Sequence, residues 1–111
     1  MADKKLVWLH GQVKSPPMSD DARRMAGYLL RYLQKGDLLS MPDSRPLPSI
    51  GPRCHELRVP DPGKGVTWRV IYRIDEDAVL IGDVFAKKTR TTPQNVIEAC
   101  QRRFALYDAN K

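Results

Sequence analysis

Three short runs of alternating residues, separated by turn-forming residues, dominate the second half of the chain. Between 54 and 59, Leu57 and Val59 fall on one side of an extended backbone, and Glu56 and Arg58 fall on the other. Between 66 and 74, Val66, Trp68, Val70, Tyr72 and Ile74 share one side, opposite Thr67, Arg69, Ile71 and Arg73. A period of two is the signature of a strand. Residues 79–86 are mostly apolar and read as a more deeply buried strand. Pro60 to Gly65 and the acidic Asp75-Glu76-Asp77 supply the turns, so the spacing predicts an antiparallel meander.

The first half alternates differently. Leu6-Val7-Trp8-Leu9 suits a short first strand, and residues 13–18, with Pro16-Pro17, form a loop. Ser19 is placed as an N-cap, with Asp20 and Asp21 where carboxylates complement the helix dipole. Ala22, Met25, Ala26, Leu29 and Leu33 then follow at helical spacing, Lys35 sits in the last turn and Gly36 supplies the stop. This predicts a helix over 20–35. Residues 37–52 hold four prolines and few periodic apolar residues, and read as an ordered surface loop. Thr92-Pro93 reads as an N-cap followed by a first-turn proline, and Val96, Cys100, Phe104 and Tyr107 carry a last helix over 93–107. An antiparallel meander with one helix before it and one after it is read as the α+β class, in a single domain spanning 1–111.

Charge changes the picture more than composition does. A chain of 111 residues, 41% of them hydrophobic, is ordinary for one folded domain. Nineteen Lys and Arg against thirteen Asp and Glu leave a formal charge of +6, which favours a polyanionic partner, nucleic acid or an acidic protein; the plain alternative is solubility. Cys54 and Cys100 lie outside any CxxC pattern and are expected as reduced thiols. The N-terminus lacks the apolar core of a signal peptide, and no run approaches the roughly 20 residues that span a bilayer. The expectation is a soluble, cytoplasmic protein.

Candidate chemistry sits on the side of the meander away from Leu57, Trp68 and Tyr72. If those large residues face the core, Glu56, Arg58, Arg69 and Arg73 project from the outer face, with Lys87-Lys88 at the end of the last strand. Phosphodiester chemistry needs donors aimed where negative charge develops, and strand-borne Arg and Lys supply them rigidly. A solvated basic face is the competing reading. His55 has no company at metal-ligand spacing and is expected to be half-buried, with no metal or cofactor implied. Trp8, Trp68, Tyr72 and Phe85 lie on apolar runs and are expected in the core. Arg23, Arg24 and Arg31, like Arg102 and Arg103, either touch RNA or form solvated helix faces. Gly63 and Gly65 flank a turn and lack the spacing of a phosphate loop.

The motifs H-E-L-R-V, W-R-V-I-Y, V-F-A-K-K-T-R-T-T-P and E-A-C-Q-R-R, in that order over about residues 45–108, resemble the phage-related, HigB-like branch of the RelE/ParE toxin superfamily. The resemblance implies a curved antiparallel sheet of about four strands packed on one face by helices. It implies the toxin of a type II toxin–antitoxin pair, a metal-independent endoribonuclease that cuts messenger RNA on the ribosome. In that chemistry the 2′-hydroxyl attacks the neighbouring phosphate. By this resemblance Arg69 holds the scissile phosphate, and Arg58 is the basic residue of the second strand, the first of the meander. Lys87 and Lys88 close the last strand, Lys88 protonating the leaving oxygen. Arg73, Arg90, Arg23 and Arg24 are the expected RNA and ribosome contacts. Two positions depart from the pattern: Glu56 stands where some members have lysine, and Gln94 where some have an aromatic residue. Glu56 is either the general base or a residue that orders the arginines, and a carboxylate set among arginines makes a poor proton acceptor. The implied partners are the ribosome with its message and a cognate antitoxin, a small helix-turn-helix DNA-binding protein through which alone operator DNA is reached; no membrane is involved. The alternative on the same fold is a ParE-like poison of DNA gyrase without nuclease activity.

Overall fold

The computed structural model describes residues 3–9, 17–87 and 91–111, without the side chain of Lys87. Lys88, Arg90 and most of the loop expected at 13–18 lie outside them. The elements in chain order are β1 (Lys5–Trp8), α1 (Asp20–Gln34), β2 (Ser44–Pro46), β3 (Cys54–Asp61), β4 (Val66–Ile74), β5 (Ala78–Lys87) and α2 (Gln94–Ala109). They build one sheet in the order β1-β5-β4-β3-β2, with β1 parallel to β5 and the other pairs antiparallel. The protein is therefore α+β as expected, with the meander β3-β4-β5 at its centre. The sheet has five strands instead of about four, and is mixed because β1 joins β5 in parallel.

Each face of the sheet carries one helix. On the first, Ala22, Ala26, Leu29, Leu30 and Leu33 of α1 pack with Leu57, Val59, Trp68, Val70, Tyr72, Val79 and Ile81. On the other, Cys100 and Phe104 of α2 pack with Ile71, Ala78, Leu80, Cys54, Leu47 and Ile50. The resemblance put the helices on one face; here Ile71 and Leu80 offer α2 an apolar footing on the second. Ala78–Gly82 of β5 are buried because they lie between both helices, and burying one leucine-sized side chain stabilises by about 1.5–3 kcal/mol. Gly82 lies where the β4–β5 register shifts, Ile71 pairing with Asp83 and Tyr72 with Ile81. A Cβ there would stand 2.9 Å from Phe104 Cζ and 3.0 Å from Cys100 Sγ, so only glycine lets α2 approach this closely. Arg103 of α2 donates to the Gly82 carbonyl at 2.6 Å.

The ends of α1 follow the sequence. Ser19 Oγ accepts from the Ala22 amide at 3.1 Å, and Gly36 takes a φ of +96° just past the end. Asp61 binds the helix to the sheet, accepting from the Ser19 amide at 2.9 Å and from Trp68 Nε1 at 3.0 Å. The Ser19 amide holds its carboxyl below the usual carboxylate value. Met25 departs from expectation: it is 48% exposed, and Leu30 takes the buried place. Trp8 departs too, 44% exposed as the last residue of an edge strand. Trp68 and Tyr72 are buried as expected and Phe85 is half-buried. His55 is half-buried and stacks on Tyr72 with ring centroids 5.2 Å apart. Both cysteines are free and buried; burial pushes the Cys54 thiol up to about 11 and the Cys100 thiol up to about 12, so neither is a thiolate near neutrality. Among the described residues no helix is long and apolar enough to cross a membrane.

Candidate functional site

β3 and β4 pair so that Glu56 stands opposite Ile71 and Arg58 opposite Arg69, while β2 sets Arg45 opposite Glu56. With a period of two, Arg45, Glu56, Arg58 and Arg69 share the sheet face on which α2 packs. The face from which these residues were expected to project is largely covered, and Glu56 is completely buried. Around it gather Arg45 Nε at 3.3 Å and Arg69 Nη1 at 3.4 Å, both from Oε1, while Thr92 Oγ1 donates to Oε2 at 3.0 Å. Arg58 is half-buried beside them.

Arg69 is the least satisfied member. It is 7% exposed, and its Nε and Nη1 are buried without a hydrogen-bond partner among the described residues. The contact with Glu56 is an ion pair at a length well beyond the 2.7–2.9 Å of a good charge-assisted hydrogen bond. Burial pulls the guanidinium below its ordinary value; the Glu56 carboxylate opposes that shift, and the charges of Arg58 and Arg45 add to it. Arginine stays charged through such a shift. A buried, charged fork short of acceptors is a site in want of an anion, and a phosphate offers bidentate geometry that fits it.

The other expected site residues are dispersed. Arg73 shares the strand and face of Arg69 but is buried in a different constellation. Its Nε and Nη2 donate to Asp75 at 2.8 and 2.9 Å, its Nη1 and Nη2 to Asp108 at 2.9 and 2.7 Å, and it lies over the Phe104 ring at 5.2 Å. Its expected role in holding RNA is corrected on that ground, since its donors are engaged by carboxylates and its guanidinium is covered. Arg23 and Arg24 are exposed on α1, Arg24 paired with Asp21 at 2.9 Å, far along the chain from the Glu56 cluster and on the helix of the opposite face. Lys87 ends β5 opposite Thr67. Lys88 and Arg90 fall outside the described residues, as noted. Among the described residues no cluster of three or more His, Cys, Asp or Glu could hold a metal ion.

Two participants escaped the sequence reading. Arg45 lies in a stretch taken for loop, because Pro42 and Pro46 bracket it; Pro46 is tolerated since β2 is an edge strand. Thr92 was assigned as a helix cap. Here Pro93 is the N-cap residue, and the Thr92 hydroxyl goes to Glu56 instead.

Residues 17–105, which include all of α1 through most of α2 and every member of this cluster, match the family described as Phage derived protein Gp49-like (DUF891). The chain belongs to that Gp49-like family. The family is associated with toxins of toxin–antitoxin pairs of the RelE/ParE type. No curated protein matches the sequence. The Gp49-like assignment thus covers the Arg45–Glu56–Arg58–Arg69 cluster but carries no roles for its members.

Proposed function

We propose that this Gp49-like protein is a toxin of the HigB-like branch that cuts messenger RNA on the ribosome. The observation supporting this reading is Arg69, a buried guanidinium short of hydrogen-bond acceptors beside two further arginines. In the reaction the 2′-hydroxyl gives up its proton to solvent as its oxygen bonds to phosphorus, the P–O5′ bond breaks, and the leaving 5′-oxygen takes up a proton from Lys88, which solvent then reprotonates. The products are a 2′,3′-cyclic phosphate and a 5′-hydroxyl, and the number of protons is unchanged overall. Arg69 and Arg58 stabilise the charge that grows on the phosphate oxygens, and Lys87 is the last residue of β5. The ribosome positions the message, so the protein itself supplies donors and little binding area. Arg23 and Arg24, exposed on α1, and Arg90 make ancillary contacts to ribosomal RNA. A cognate antitoxin, a small helix-turn-helix protein with an acidic segment, masks the basic cluster in the cytoplasm and alone carries operator-DNA binding.

Inducible expression followed by mapping of messenger RNA 5′ ends tests this, with plasmid supercoiling followed in parallel. The expected outcome is codon-phased cuts on translated messages. Intact messages with altered plasmid topology would overturn it in favour of a gyrase poison.

A further inference from the structure

The cluster around Glu56 distinguishes two roles for that carboxylate. A general base must touch the proton that it removes. Glu56 is fully buried, Oε1 lies between two guanidinium groups and Oε2 accepts from Thr92, so neither oxygen faces a substrate. The three arginines around one carboxylate differ in access. The Arg69 side chain is 9% exposed and fixed in β4, whereas that of Arg45 is 34% exposed on an edge strand three residues long. Its 3.3 Å contact to Glu56 is long for a charge-assisted pair, and part of its side chain faces solvent.

We infer that Arg45 is a phosphate-binding arm of this site and that Glu56 is a positioning residue, a resident counter-ion that holds Arg45 and Arg69 together. On this view Oε1 stands where it keeps the two guanidinium groups from repelling one another, and Thr92 fixes the carboxylate by its other oxygen. An arriving phosphate takes donors from Arg45, from the exposed side, and from Arg69. Phosphate and carboxylate then share the same pair of cations, as in a bridged anion site. The inference rests on the nuclease reading only for the identity of the anion as an RNA phosphodiester.

The test uses the full chain and inorganic phosphate, followed through the Nε–H resonances of its arginines. The resonances of Arg45 and Arg69 are expected to move together along one saturation curve. Arg45→Ala should weaken phosphate binding by about ten- to a hundredfold, the loss of one charge-assisted hydrogen bond, with Arg45→Lys in between because it keeps charge but loses the fork. Unmoved Arg45 resonances when Arg69 is saturated, or wild-type affinity in a folded Arg45→Ala protein, would overturn the role of Arg45. For Glu56, the pH–rate profile of message cleavage on programmed ribosomes is compared between wild type and Glu56→Gln. A counter-ion leaves the acidic limb of the profile in place, whereas loss of that limb would make Glu56 the base. If Glu56→Gln does not fold, Thr92→Val gives a second reading: freeing Oε2 should alter phosphate affinity without moving the limb, and a moved limb overturns the positioning role. Phosphate binding through both arginines in a protein that cuts no message would defeat the nuclease reading and leave this one standing.

Discussion

Arg69 and Arg73 lie four residues apart on the same strand and the same face, and both are buried, yet their surroundings are opposite. Arg73 meets Asp75 and Asp108 through four hydrogen bonds of 2.7–2.9 Å, and those bonds, Asp108 first, raise its already high pKa further. Arg69 meets one carboxylate at 3.4 Å that Arg45 also uses, and burial lowers its pKa. A buried charge with a full set of partners is a structural fastener, and one with too few is costly unless something else comes to complete it. The strand thus carries a finished pair at one end and an unfinished one nearer the middle, which identifies the middle as the place where a ligand gains most.

The largest expected effect lies at the finished end. Arg73→Ala leaves Asp75, 3% exposed, with Arg53 at 3.4 Å and Lys111 at 3.8 Å as its ion-pair partners among the described residues. Stranding a buried charge in this way should cost about 3 kcal/mol of stability, read as a lowered urea midpoint at unchanged slope. Arg69→Ala should do the reverse. Glu56 keeps Arg45 and Thr92, so the midpoint falls less, while growth inhibition and message cleavage drop by about a hundred- to a thousandfold, the cost of one transition-state donor. Equal destabilisation by the two substitutions, or full toxicity in a folded Arg69→Ala protein, would erase the contrast.

The sequence already showed that Glu56, Arg58 and Arg69 share a face, because strand parity needs no tertiary knowledge. It did not show that the face is covered. Ile71 was the available sign, an apolar residue among arginines, and Cys100 and Phe104 on α2 needed such a footing. Arg73 was misread for the same cause: its partner Asp108 is 35 positions away, and no local pattern announces a pair at that separation. Arg45 was hidden by the prolines that make an edge strand look like loop. Thr92 precedes a proline at a helix start, where capping is the common use of its hydroxyl. Met25 fits the helical repeat on paper, but the stripe that packs is centred nearer Leu30, and a repeat fixes the stripe only to within a residue.

Gly82 separates the two ends physically, since the register shift beside it brings Asp83 opposite Ile71. Gly82→Ala puts a methyl group 2.9 Å from Phe104 Cζ, and the ring can yield only by moving α2. The expected cost is about 1–3 kcal/mol in thermal or urea unfolding, typical of overpacking. Phe104 also lies under Arg73. The damage should therefore spread to the finished pair, so that Gly82→Ala and Arg73→Ala together cost less than their sum. Strict additivity would mean that α2 absorbs the methyl group without disturbing Arg73.

The smallest effect tests how much of the finished pair resides in its exposed half. The hydrogen bonds from Arg73 hold the Asp108 carboxyl below its ordinary value, while its side chain remains 50% exposed at the end of α2. A carboxyl whose folded pKa is depressed binds its proton more weakly folded than unfolded. Its contribution is therefore fully present above the unfolded value of about 3.9 and is lost as pH falls through the lower, folded value. Solvent screens so exposed a pair, so Asp108→Asn should cost no more than about 1 kcal/mol at pH 7, and the gap to wild type should begin to narrow as pH falls below about 4. Paired urea titrations at pH 7 and pH 3 measure that gap, and hydrogen exchange over Leu106–Asn110 should quicken in the variant at pH 7. If Asp108→Asn cost as much as Arg73→Ala, Asp108 would be the principal partner and the buried Asp75 a minor one. The completeness of Arg73 would then depend on a residue that solvent can reach, and the difference between the two ends of β4 would be one of degree.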